Sequence, residues 1–148
     1  MRAATQGLIS GTIATLGMSL PFYIFKKSGL QGEHPPKRVM QGLIKAIGET
    51  PDEPKLSVLT AVGHLGFGML AGSLFAAVRE KLGSKRQPAL VGAAYGLGIW
   101  ALSYKGVVPA LRFMPPPEKD RPGRVFSNVL AHLVYGSLLG IGVSQAEK

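Results

Sequence analysis

A chain of 148 residues has room for one domain at the usual ~150 residues each. Only 17% of its residues are charged, 46% are hydrophobic, 20 are glycine and the mean hydropathy is +0.21, which excludes a water-soluble domain of average composition. The net charge of +9 falls between long neutral runs and forms no stripe, which argues against nucleic acid and for anionic lipid headgroups; the lack of cysteine excludes disulfides, zinc-thiolate sites and iron–sulfur clusters.

The first element is an uncharged run over residues 3–25. A bilayer core of ~30 Å takes about 20 helical residues, so the run predicts a membrane span. It follows a single Arg2 and has no small-x-small cleavage pattern before Lys26, which reads as a retained span and not a signal peptide. After Pro35 and Pro36, KRVMQGLIKAIGE sets Val39, Met40, Leu43, Ile44 and Ile47 at helical spacing. This predicts a short amphipathic helix over about 36–49, either lying in the headgroup interface or packed on the protein as a solvated loop helix. Uncharged runs over 58–78, 87–104 and 125–143 predict three further spans, the second of these being the shortest. Before the last span, KGVVPALRFMPPPEKDRPGR starts apolar and ends in prolines and charges, as a segment folded over the membrane surface would. An even number of spans puts both termini on one side, the terminal side, and the connections 26–57 and 105–124 on the other, the loop side. Lysine and arginine are more numerous on the loop side but denser over 79–87, so orientation stays open.

Two nine-residue segments share one layout. HLGFGMLAG (64–72) and HLVYGSLLG (132–140) both read His-Leu-x-aromatic-Gly-x-Leu-x-Gly, which predicts two tandem two-helix repeats. Each span carries glycines four apart: Gly7 and Gly11, Gly68 and Gly72, Gly92 and Gly96, Gly136 and Gly140. Small residues at this spacing form a flat helix face where backbones approach closely. All of them fall in the half of their span nearer the terminal side, so the bundle should be tightest there and wider, more polar and more aromatic toward the loops.

His64 and His132 lie at matching depth, about 10 Å below the loop-side surface at ~1.5 Å rise per residue. Asn128, His132 and Tyr135 share a helix face, and Trp100 ends the third span at the same level. These five residues form the candidate polar pocket or ligand site. The histidines have two readings. In one, each imidazole bonds a backbone carbonyl or side chain across a helix interface and ties a repeat together. In the other, the pair ligates a haem, another tetrapyrrole or a metal. A third class, a small-solute transporter or channel, draws on the parallel repeat but has no Asp, Glu, Lys or Arg inside the four runs. Enzyme chemistry has no motif to rest on. There is no P-loop or nucleophile elbow, and Gly66-Phe67-Gly68 inside a hydrophobic run has no strand before it.

The series GLISGTIATLGMSL, PPKRV, GHLGFGMLAG, GIWALSYKGVVPALRFMPPP and AHLVYGSLLG resembles the small four-span bacterial membrane proteins of the YagU-like group, a domain of unknown function. The resemblance implies a bacterial inner-membrane protein and transfers no catalytic residue. The sequence therefore predicts an all-α integral membrane four-helix bundle of two tandem two-helix repeats with a short interfacial helix. Its expected role is non-enzymatic: a structural, accessory or stress-related protein without a cofactor, packing by its glycine faces. Its expected partners are membrane lipids, including anionic headgroups, and further copies of itself or a larger membrane complex.

Overall fold

The computed structural model describes residues 2–82 and 87–146, and every regular element among them is helical. In chain order these are α1 (Arg2–Lys27), α2 (Pro35–Ala46), α3 (Glu53–Leu82), α4 (Pro88–Trp100), a π-helical segment (Ala101–Val107), α5 (Val108–Ala110), a 3₁₀ turn (Pro117–Lys119) and α6 (Pro122–Ala146). Three helices, α1, α3 and α6, are long and apolar enough to cross a membrane. They overrun the uncharged stretches at both ends, because charged side chains such as Lys26 and Glu53 can extend a helix into the headgroup layer without entering the hydrocarbon.

The end signals are local. Pro35 and Pro122 open α2 and α6, and Asp52 Oδ1 accepts the Lys55 N–H at 2.9 Å ahead of α3. Gly29 (φ +73°) and Gly48 (φ +82°) stop α1 and α2 in left-handed turns closed by Leu30 N–H to Phe25 O and by Glu49 N–H to Ile44 O. The amphipathic helix therefore ends at Ala46, short of the predicted 49. Of the shortest predicted span, 87–104, α4 forms only Pro88–Trp100, too short to be among the helices able to cross a membrane, and the chain stays helical past it through the π segment to Ala110. Pro109 has no N–H for a standard turn here, and the ladder widens to a bond from Val108 N–H to Ser103 O.

Side by side the long elements run in the order α3, α1, α6, α4, each antiparallel to its neighbour. Two of the three interfaces are glycine crossings. A Cβ on Gly7 or Gly11 would strike the carbonyls of Gly72 and Gly68, and a Cβ on Gly92 or Gly136 would strike the opposite member of that pair. Gly96 and Gly140 lie as tightly against the His132 and Pro88 carbonyls. All eight glycines thus face another helix of the same chain and present no ridge to an outside partner. Between α1 and α6 the contact is made by side chains, with Leu138 against Gly17 and Ser10 against Gly142. α3 and α4 meet at Tyr95, whose hydroxyl donates to Ala71 O at 2.7 Å and whose ring lies 5.0 Å from Phe75.

The main core holds Ala14, Met18, Phe22, Phe75, Ala76, Ala131, Tyr135, Leu139 and Val143. Large aliphatic side chains point outward instead, among them Ile9, Ile13, Leu16 and Leu20 on α1 and Val58, Val62, Leu70 and Leu74 on α3. Glycines at the helix crossings with large apolar side chains on the outer surface is the arrangement hydrocarbon favours and water does not.

Candidate functional site

The loop side of the bundle is closed by chain, where sequence reasoning expected a widening mouth. After α1 the connection over 28–34 turns inward at Gln31, which has no exposed surface, and forms a plug there. Arg124 in the first turn of α6 holds this segment in place: its Nε donates to Gln31 O at 3.0 Å, and its Nη1 pairs with Asp120 Oδ1 at 2.6 Å. The same carboxylate accepts the Tyr104 hydroxyl through Oδ2 at 2.5 Å and the Arg121 N–H at 2.7 Å. One buried carboxylate therefore joins the π segment, the start of α6 and, through Arg124, the plug. Burial raises the Asp120 pKa, but the bonds from Tyr104, the Arg121 N–H and Arg124 outweigh it and leave the group below its ordinary 3.8.

Beneath the plug lies a group of imidazoles. His34, just before α2, packs edge-on against Phe22 with ring centroids 4.8 Å apart, and the Phe22 ring is 6.5 Å from His64. His64 is within electrostatic reach of both His34 and His132. Burial, then the neighbouring His64 and Lys26, hold His34 down to about 4, so the loop imidazole is neutral at physiological pH.

The predicted site residues divide. Asn128 and Tyr135 are buried on the inward face of α6, and His132 Nδ1 lies 2.8 Å from the Asn128 carbonyl within the same helix, which puts the ring proton on Nδ1. His132 thus bonds along its own helix and not across an interface. His64 Nε2 is buried with no hydrogen-bond partner among the described residues. Near the predicted site the cross-helix bonds come from tyrosines: Tyr135 donates to Gly68 O at 2.7 Å, and Tyr95, which sequence reading passed over, donates to Ala71 O; at the far end Ser73 Oγ donates to Ala4 O and Gln6 Nε2 to Ala146 O. Trp100 belongs to a second core with Tyr104, Val108 and Met114, T-stacked on Tyr104 at 6.3 Å, and its Nε1 is buried without a partner among the described residues.

Sequence reasoning missed Gln31, His34, Asp120 and Arg124. Each lies in a polar, proline-flanked connection that looks solvated until its long-range partner is known; the Gln31–Arg124 bond spans 93 residues. The π segment that aims Tyr104 had one signal, Gly106 and Pro109 placed after a helical run. Among the described residues no group of three or more His, Cys, Asp or Glu is placed to hold a metal ion. Chemically the site offers a neutral imidazole at His34, a buried and unused His64 Nε2, and one tightly held carboxylate above them.

Comparison with known proteins returns one result. Residues 1–148 match a family described as a family of unknown function, DUF6789. No curated protein and no solved structure matches the chain. The match ties the chain neither to the YagU-like group nor to bacteria, and it narrows that resemblance to a shared lack of assigned function. The chain belongs to the DUF6789 family.

Proposed function

We propose that this is a four-span integral membrane protein of two tandem two-helix units whose role is structural or accessory, without an enzymatic reaction, in the plasma membrane of a bacterium. The observation that carries the reading is the repeated crossing, Gly7 and Gly11 on Gly72 and Gly68 and then Gly92 on Gly136. Backbone contact of this kind is how helices associate where lipid gives no hydrophobic drive. The aliphatic outer faces of α1 and α3 support a surface turned to lipid or to another membrane helix. The loop-side polar groups act, on this reading, as a plug that fixes the connections to the bundle. α4 with its π extension supplies the fourth crossing.

The absence of cysteine makes that crossing directly testable. Single cysteines replacing Gln87 and Glu118, which bracket this segment, are treated with a membrane-impermeant maleimide in sealed vesicles. A four-span chain is labelled from opposite faces at the two positions. Labelling of both from one face removes the fourth span and the two-unit architecture with it.

A further inference from the structure

α2 presents Arg38, Gln41, Gly42 and Lys45 along one face, three and four residues apart. Facing them is the turn after α5, with Arg112 and Phe113, and together the two elements line an open cavity of about 410 Å³. Gly42 lets the turn close in, since a Cβ there would run into the Phe113 ring. The cavity wall holds two guanidinium groups, one ammonium group and one amide, with no carboxylate among its lining residues. Glu33 accepts Gln41 Nε2 at 3.4 Å at the edge of this face and forms no ion pair with the three cations among the described residues. Among the described residues Arg38, Lys45 and Arg112 have no ion-pair partner, whereas Lys37, Lys105 and Arg124 each have one.

The backbone of Arg112 adds an independent observation. Three helices of the chain end in the same left-handed turn: at Gly29, at Gly48 and at Arg112, where Phe113 N–H bonds Val108 O and Arg112 N–H bonds Pro109 O. The first two use glycine, the residue that adopts positive φ without strain. Arg112 adopts it at φ +59°, a conformation that is strained for a residue with a side chain. Strain kept at a cation that adds to two others of like charge indicates a use for the side chain.

We propose that this cavity is a binding site for a phosphate group, and specifically for the headgroup of an anionic phospholipid. Guanidinium forks match phosphate oxygens in pairs, and an ammonium adds point charge. The inference rests on the membrane reading above and takes, of the two placements the sequence leaves open for α2, the headgroup layer, where exposed Leu43 and Ile47 beside the cavity face and exposed Leu111 next to Arg112 meet acyl chains.

The test uses full-length protein in a neutral detergent. Binding of a short-chain phosphatidylglycerol, of the matching phosphatidylcholine and of inorganic phosphate is measured by native mass spectrometry and thermal shift. Arg112→Gly removes the charge while relieving the backbone, so the variant should fold at least as well as the parent. Lys27→Gln removes one exposed charge outside the cavity. We expect phosphatidylglycerol to be preferred over phosphatidylcholine and its affinity to fall about tenfold in R112G and less than twofold in K27Q. Inorganic phosphate binding with the same R112G dependence and no lipid preference would keep the phosphate site but assign it to a soluble source. Equal binding of the two lipids without phosphate binding, or an equal effect of R112G and K27Q, overturns the proposal. Carbonate extraction of native membranes separates this failure from that of the membrane reading: protein that resists extraction but shows no phosphate selectivity sinks the cavity alone.

Discussion

At the scale of single residues, the Arg124–Asp120 pair holds the loop side together. Its side chains are 6% and 2% exposed, so each ion has given up its water and depends on the other. Asp120→Ala leaves the Arg124 guanidinium buried beside a missing partner, and we expect a loss of about 3–5 kcal/mol in detergent unfolding. Glu118→Ala removes the partner of Lys105 in an open pair, 61% exposed on both sides, and is expected to change little. Equal effects of the two substitutions would mean that Asp120 is not the tie we describe. The contrast also marks what could be read from sequence. Both acids sit in PPPEKDRPGR, two residues apart, and nothing local tells the buried one from the exposed one. The difference is made by Tyr104 and Gln31, which arrive from other parts of the chain.

At the scale of elements, the glycine crossings make a sharper demand than propensity does. An alanine in place of Gly7, Gly72, Gly92 or Gly136 has no room unless the helices separate, and we expect a loss of about 1–3 kcal/mol for each. Gly66 and Gly98 lie in the same helices with nothing within 4 Å of an added Cβ. Alanine there should be neutral or stabilise by up to ~1 kcal/mol. A common response of all six positions would remove the crossings as the source of packing specificity. The glycine pairs were legible because their four-residue spacing stands inside uncharged runs, and length alone marked α1, α3 and α6. The fates of the aromatics within the matched segments were not. Phe67 is 56% exposed and Tyr135 is 3% exposed at equivalent positions, because α3 lies at the edge of the row whereas α6 has a helix on either side.

For the whole molecule, acid is the condition that tests the plug. His34 is held down to about 4, by burial and then by His64 and Lys26, so the folded protein binds fewer protons than the unfolded chain between about 6.5 and 4. Stability is full above pH 6.5 and declines as pH falls through that window. Asp120, below its ordinary 3.8 once folded, adds a second decline at still lower pH, as the unfolded carboxyl takes up its proton first. Unfolding followed from pH 7.5 to 4 should show a slope that His34→Gln reduces; an unchanged slope would place the acid response elsewhere. The order of the row, with α1 between α3 and α6, also governs biosynthesis. α1 and α3 leave the ribosome early and can close their crossing at once, but the other side of α1, with Ser10 and Gly17, has no neighbour until residues 122–146 have been made. During translation of the intervening chain, the α1–α3 hairpin stands half-covered, with the small-residue face of α1 open until the last helix arrives.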